Sequence, residues 1–101
     1  MNWFVIVMKL KIKNNEFEIL DMDQLDEFKN PKAKIHLHVN DWHWFIVAAE
    51  EIRGDYNCFG LVKGFVEELG FFTLHDVLES GAELDTNFTE IGIYDLKEKK
   101  E

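Results

Sequence analysis

The chain has one cysteine and one serine among its 101 residues, and each scarcity excludes a class of protein. With Cys58 alone, neither an intramolecular disulfide nor a cysteine-based zinc site can form, which is typical of a reducing compartment. Ser80 lies outside the Gly-x-Ser-x-Gly pattern of serine hydrolases, and the glycines form neither a dinucleotide-binding motif nor a P-loop. We therefore expect a cytoplasmic protein without these chemistries.

Long apolar runs are also missing. The first apolar segment, residues 3–8, is too short to span a bilayer, and lysines follow it instead of preceding it as they do in a secretory signal. We expect no membrane association and interpret this segment as the beginning of a β-strand.

Basic side chains are few, 11 against 20 acidic ones, and the net charge is −9. Residues 51–96 hold only Arg53 and Lys63 as basic residues against ten acids. Because nucleic-acid binding depends on clustered Lys and Arg that release counterions, direct binding to DNA or RNA is disfavoured. Association with a basic protein surface is favoured and should weaken with salt, although an acidic surface can also serve solubility alone.

Apolar residues, in contrast, are plentiful: the chain is 47% hydrophobic and 14% aromatic. This is enough for one modest core, and neither a linker nor an internal repeat divides the sequence. We predict a single domain over residues 1–96, followed by a charged, frayed tail at residues 97–101.

Alternating apolar and polar residues predict a β-hairpin near the N-terminus. Its arms are residues 3–13 and 16–20, and Asn14 and Asn15 form the turn between them. Helical spacing over residues 22–29 then predicts about two helical turns. Pro31 ends this helix, because a residue before proline is disfavoured in helical conformation.

A second hairpin is predicted from residues 34–39 and 42–49, with a two-residue turn between them. This loop length places Val39 opposite Trp42 and His38 opposite His43. One face then carries Ile35, Leu37, Val39, Trp42, Trp44 and Ile46, and the other carries His36, His38, His43 and Phe45. The first face is the expected core face.

Glycines mark the next strand and the second helix. Residues 53–57 are predicted to be a loop and residues 58–65 a strand, in which or at whose end Gly60 and Gly64 indicate a bulge or a close approach of the backbone. A short helix begins at Thr73, with Asp76 in a capping-box-like position. Gly81 ends this helix.

The last predicted strand covers residues 88–94. Together these elements predict an α+β domain with a mainly antiparallel sheet of five to seven strands and two short helices packed on one face.

The histidines of the second hairpin form the sharpest candidate for chemistry. His36 and His38 are two positions apart on one strand and His43 lies directly across from His38, so the three could converge on a metal ion, with Asp41 as a fourth ligand. A solvent-facing hairpin surface with this sequence needs no metal, however. We assign no catalytic residue and expect no cofactor, and a small metal-dependent enzyme remains an alternative.

Other candidates for chemistry have simpler interpretations. Cys58 lacks electropositive neighbours in the sequence and is expected to be a buried packing residue. The adjacent carboxylates Glu67 and Glu68 point apart on a strand, so they do not form an acid and base pair.

One stretch resembles a known family. The order Trp42-x-Trp44-Phe45, Phe59-Gly60-Leu61-Val62-x-Gly64 and Glu68-Leu69-Gly70-Phe71-Phe72-x-Leu74 resembles domain of unknown function 2958, an uncharacterised bacterial family. The resemblance covers residues 42–78, and it implies a bacterial accessory protein carried by plasmids or other mobile elements. It implies no reaction and no site residues. Cys58 departs from the pattern, since the family has an aromatic residue there.

Charge and resemblance together favour a non-enzymatic interaction protein. The acids assigned to its partner surface are Asp55, Glu67, Glu68, Asp76, Glu79, Glu83 and Asp85. The sharper hypothesis is an acidic mimic that inhibits a nucleic-acid-binding restriction or CRISPR-type enzyme of the host. An antitoxin-like or regulatory partner of a neighbouring gene product is another alternative, and a homodimer is left open.

Overall fold

The structure, a computed structural model, describes residues 6–98, apart from the side chain of Glu98. The described elements are, in chain order, β1 (Val7–Ile12), β2 (Asn15–Asp21), a 3-10 helix (Met22–Glu27), β3 (Lys32–Ala33), β4 (Ile35–Val39), β5 (Trp42–Ile52), β6 (Asp55–Lys63), β7 (Glu67–Thr73), α1 (Leu74–Glu79), β8 (Glu83–Leu84), β9 (Ile91–Gly92) and α2 (Ile93–Glu98). Residues 3–5 of the predicted first strand lie outside this range.

Seven strands of the described chain form one sheet around β5. One edge of β5 pairs antiparallel with β6, which pairs in turn with β7. The other edge of β5 pairs with two strands in succession. β4 pairs antiparallel with residues 42–46, and β2 pairs in parallel with Ala48 and Ala49. β8 extends the sheet beyond β4, β1 extends it beyond β2, and β3 and β9 form a separate two-stranded ribbon.

Both faces of the sheet are buried, because side chains alternate across each strand and helices cover both sides. The face on which α1 packs, called the α1 face here, is built on Leu10, Ile12, Ile19, Ile35, Leu37, Ile46, Ala49, Cys58, Leu74 and Val77. The opposite α2 face is built on Ala33, Phe45, Val47, Ala48, Leu61, Ile93 and Leu96, with Met22 and Leu25 packed against it.

The glycines of β6 have the roles that their positions predict. The register between β5 and β6 shifts between Ile46 and Ala48, which is a β-bulge opposite Gly60. A Cβ on Gly60 would lie 1.8 Å from the backbone oxygen of Phe45, and a Cβ on Gly64 would lie 2.2 Å from the ring of Trp42. The predicted bulge and close backbone approach are therefore confirmed at Gly60, whereas Gly64 is approached by a side chain.

The register of the β4–β5 hairpin is confirmed, whereas two turns differ from the prediction. His38 pairs with His43 across the strands, as expected. The first turn is Lys13 and Asn14, both with positive φ, instead of Asn14 and Asn15. The predicted loop at residues 53–57 is shorter, because Arg53 and Gly54 alone make the turn and β6 begins directly after it. Two residues with positive φ form the tight turn that matches the twist of paired strands.

The predicted fold class is confirmed, with a correction to the helices. The domain is α+β and mainly antiparallel, and Thr73 caps α1 while Gly81 follows its end with φ of 96°. The 3-10 helix packs on the α2 face and α1 on the other, so the two helices do not share one face. Each face of the sheet exposes apolar side chains and therefore needs its own cover.

A third helix was not predicted. α2 occupies Ile93–Glu98, where a strand end and a frayed tail were expected, because Ile93 and Leu96 fit the apolar α2 face at helical spacing. None of the helices in residues 6–98 is long and apolar enough to cross a membrane.

Candidate functional site

The three histidines of the β4–β5 hairpin lie together on the α2 face, as the sequence predicts. Ring centroids are 5.1 Å apart for His36 and His43, 5.2 Å for His36 and His38, and 6.1 Å for His38 and His43. The ring of His36 also stacks on Phe45, with centroids 4.4 Å apart and planes 6° apart. We call His36, His38, His43 and the carboxylate of Asp85 the histidine cluster.

Hydrogen bonds run through this cluster as a chain. Asp85 Oδ2 lies 2.9 Å from His36 Nδ1, and His36 Nε2 lies 2.8 Å from His43 Nδ1. Asp85 reaches the ring because its backbone N–H donates to the His36 carbonyl, which continues the pairing of β4 with β8. The sequence offered no local indication of this contact, and the aspartate expected beside the histidines, Asp41, is exposed in the hairpin turn.

The environment of His36 favours its neutral form. Burial lowers the pKa of His36 below 6.5, the nearby His43 and His38 add to this, and the hydrogen bond to Asp85 opposes it. The pKa of Asp85 is lowered in turn, chiefly by the hydrogen bond from His36. A neutral His36 that donates its Nδ1 proton to Asp85 must accept at Nε2, so His43 donates from Nδ1.

This arrangement is a hydrogen-bonded relay and differs from the predicted metal site. Both ring nitrogens of His36 already have protein partners. Among residues 6–98, no group of three or more His, Cys, Asp or Glu side chains could hold a metal ion. The geometry therefore gives the predicted histidine ligands no support as a metal centre.

The acids proposed for a partner surface are divided between structural and exposed positions. Asp55 accepts hydrogen bonds from the backbone N–H groups of Tyr56 and His75, at 2.7 and 3.2 Å, and so holds the beginning of α1. Glu79 lies 3.7 Å from His75 on an exposed turn of α1. Asp76 is exposed in the first turn of the same helix.

The remaining acids lie at the two opposite edges of the sheet. A cross-strand row on the α2 face runs from Glu67 through Lys63, His43 and His38 to Glu83. Glu67 pairs with Lys63 at 3.7 Å in this row. The seven predicted acids therefore do not form one continuous patch, because β7 and β8 are separated by β6, β5 and β4.

A second candidate site lies where the loop of the β6–β7 hairpin meets Trp42, the first residue of β5. Phe65 is 94% exposed, Val66 and Phe71 are each 64% exposed, and Trp42 packs edge-on against Phe65 with ring centroids 5.6 Å apart. These side chains border a pocket of about 290 Å³ that Val62, Glu68 and Gly70 also line. We call Trp42, Phe65, Val66 and Glu68 the edge patch; Phe71 borders the pocket from β7, but its ring contacts Phe59 on the α2 face.

Sequence reasoning placed Trp42 on the expected core face and gave Phe65 and Val66 no role at the surface, so it missed the edge patch. Phe65 and Val66 follow Gly64 directly and lie in the loop between β6 and β7, where no core is available to bury them. The cysteine was interpreted correctly: Cys58 is fully buried, and burial followed by the charge of Asp55 raises its pKa to about 12.

Comparison with known proteins does not assign the chain to a family. No protein-family model, curated protein or solved structure matches it. The resemblance of residues 42–78 to domain of unknown function 2958 therefore stays a prediction. The histidine cluster and the edge patch are the features from which function must be argued.

Proposed function

We propose that the protein is a non-enzymatic interaction module that binds another protein through the edge patch. The observation that supports this is the grouping of three large apolar side chains, Trp42, Phe65 and Val66, around a pocket at one exposed end of the sheet. Contiguous exposed apolar surface is uncommon on monomeric proteins and marks binding sites, and aromatic residues supply much of the energy at interfaces.

The charge around the patch specifies the kind of partner. Glu68 belongs to the patch, Glu67 precedes it on β7, and the whole chain carries a net charge of −9. A partner with Lys and Arg around an apolar contact would be complementary, and its association would slow and weaken with added salt.

The finer proposal is that this partner is a nucleic-acid-binding enzyme of a bacterial defence system. The resemblance to a family of mobile elements supports it, since such elements benefit from blocking restriction or CRISPR-type enzymes. The exposed acids Asp76 and Glu79 on α1 could occupy phosphate positions on such an enzyme. The protein would act in the cytoplasm, where a buried free thiol such as Cys58 remains reduced.

The test is affinity capture from bacterial lysate with the wild-type chain and matched variants. Phe65→Ser removes the most exposed side chain of the patch without touching the core, and Tyr94→Ser removes an exposed aromatic on α2 as a control. We expect the wild type and Tyr94→Ser to retain one basic protein at low salt. Phe65→Ser should retain at least tenfold less of this protein than the wild type does.

Capture must then be followed by identification and an activity assay. The finer proposal requires that the retained protein cleaves or binds nucleic acid, and that added wild-type chain inhibits it while Phe65→Ser does not. Equal retention by Phe65→Ser, or retention that is insensitive to salt, would contradict the proposed surface. A retained protein encoded beside the gene would instead favour the antitoxin-like alternative.

An enzyme is the second candidate, and the relay of Asp85, His36 and His43 is the observation that favours it. A carboxylate that orients one imidazole toward another group is the arrangement used in general acid–base catalysis. Replacing His38 and His43 by Ala separates the candidates. The interaction module predicts unchanged partner retention in this variant, whereas an enzyme would lose its activity with the fold intact.

A further inference from the structure

The outer edge of β7 is available for another strand. On its inner side β7 pairs with β6 without interruption, from Glu67 opposite Lys63 to Thr73 opposite Asn57. No other strand in residues 6–98 pairs with it. Unpaired edge strands offer backbone N–H and C=O groups to other chains, and proteins usually protect them with proline, charged side chains or a bulge. Over its seven residues β7 has neither proline nor a bulge, and its two charged side chains, Glu67 and Glu68, lie together at one end.

Side chains of β7 alternate between the two faces and differ in size. Glu68, Gly70 and Phe72 lie on the α1 face, whereas Glu67, Leu69 and Phe71 lie on the other. A Cβ built on Gly70 would meet no atom within 4 Å, so this position leaves open space at the edge.

The pocket of the edge patch opens at this space. Its volume is about 290 Å³, and Trp42, Val62, Phe65 and Val66 line it together with Gly70. A strand placed beside β7 would direct alternate side chains to the α1 face, where one of them would lie above Gly70. The pocket can therefore receive a large apolar side chain from an added strand, as pockets along other strand-binding edges do.

We propose that β7 accepts an extended segment of a basic partner protein as an additional strand. One large apolar side chain of that segment occupies the pocket beside Gly70, and Lys or Arg side chains lie against Glu67 and Glu68. This inference rests on the proposed function, because it gives the binding mode and the chemistry of the partner for the same surface.

Charge favours such a segment over a second copy of this chain. Each copy carries a net charge of −9, so pairing two of them brings like charges together. Antiparallel pairing of two β7 strands about Gly70 would place each Glu68 opposite Phe72 of the partner, where it meets no cation. A segment with a large apolar residue opposite Gly70 and basic residues two and three positions from it, opposite Glu68 and Glu67, satisfies both the pocket and the acids.

The test selects ligands from random sequences, so the natural partner need not be identified first. A display library of random 12-residue peptides is selected on the immobilised wild-type chain and counter-selected on Gly70→Val. We expect the variant to fold, because a Cβ at position 70 meets no atom within 4 Å and β-branched residues suit strands, but its side chain fills the space that the added strand needs. We expect enriched peptides that have a large apolar residue with Lys or Arg two and three positions from it, and that bind the wild type at least tenfold more tightly than they bind Gly70→Val.

The binding site is then read by nuclear magnetic resonance. Hydrogen exchange should slow at alternate amides of β7 when an enriched peptide is added, and Glu68→Lys should weaken binding and reduce its salt dependence. The proposal is overturned if no peptide is enriched over Gly70→Val, if the perturbed amides lie elsewhere, or if the wild type dimerises through β7 and Gly70→Val does not.

Affinity capture distinguishes failure of this inference from failure of the proposed function. Retention of the captured partner by Gly70→Val, together with its loss from Phe65→Ser, would leave the interaction module standing and refute strand addition. Retention by both variants would refute the edge patch itself.

Discussion

His36 Nδ1 and Asp85 Oδ2 lie 2.9 Å apart, although 49 positions separate the two residues in the chain. The contact exists because β8 pairs with β4 and delivers Asp85 beside the His36 backbone. It also sets the direction of the hydrogen bonds in the cluster, since the carboxylate can only accept.

The first prediction concerns this carboxylate. Asp85→Asn should lower the pKa of His36 further. Burial lowers this pKa, and the hydrogen bond and the charge of Asp85, which raise it, would be weakened or lost in the variant. Titration of the ring resonances by nuclear magnetic resonance measures the change. Asp26→Asn, at an exposed position of the 3-10 helix, is the control and should leave His36 unaffected. A raised His36 pKa in Asp85→Asn would contradict the relay.

The second prediction is that acidification destabilises the fold through His36. Its pKa in the folded chain is below 6.5, so the unfolded chain takes up the proton first. The contribution of His36 to stability is therefore complete above pH 6.5 and is lost as pH falls from there toward the folded pKa.

Urea unfolding at pH 7.5 and 5.5 measures this dependence. The free energy of unfolding of the wild type should fall more between these two pH values than that of His36→Asn, which cannot take up a proton. An equal or larger fall in the free energy of unfolding of the variant would exclude His36 as the source of the pH dependence.

The third prediction compares two glycines of neighbouring strands. Gly60→Ala should destabilise the protein by about 1–3 kcal/mol or more, because the added Cβ meets the backbone of Phe45 at the bulge. Gly70→Ala, in open space on β7, should be neutral or stabilising by up to about 1 kcal/mol, because alanine restricts the unfolded chain. Thermal and urea unfolding of both variants tests the contrast, and similar costs would argue against the bulge geometry.

The fourth prediction concerns the core of the α1 face. Leu37 is fully buried on β4, so Leu37→Ala should lower the free energy of unfolding by about 2–5 kcal/mol. Ile52, half exposed at the end of β5, provides the control, and Ile52→Ala should change stability by less than about 0.5 kcal/mol. Equal effects in urea unfolding would mean that the α1 face is not packed as the structure shows.

Local chemistry was sufficient to predict several parts of this fold. The two-residue turn of the second hairpin sets its register, since a slip by one position would move every side chain to the other face. His36, His38 and His43 were therefore grouped correctly. Thr73 and Gly81 mark the ends of α1 through hydrogen bonds and backbone conformations that involve only nearby residues.

Contacts between distant segments were beyond the same reasoning. Nothing around Asp85 indicates that it meets His36, because only the pairing of β8 with β4 brings them together. The helices were expected on one face, yet β5 buries side chains on both faces and draws a cover to each.

The sequence by itself determined that this is an acidic α+β domain, with hairpins and capped helices at positions that local conformational preferences dictate. Tertiary structure alone decided which apolar residues remain exposed to solvent. Composition does not distinguish the aromatic ring of Phe65 from that of Phe45, but the former lies in a loop beyond the end of the sheet and the latter at its centre. Burial depends on what the rest of the chain places over a residue, and this is why the edge patch became visible only in the folded domain.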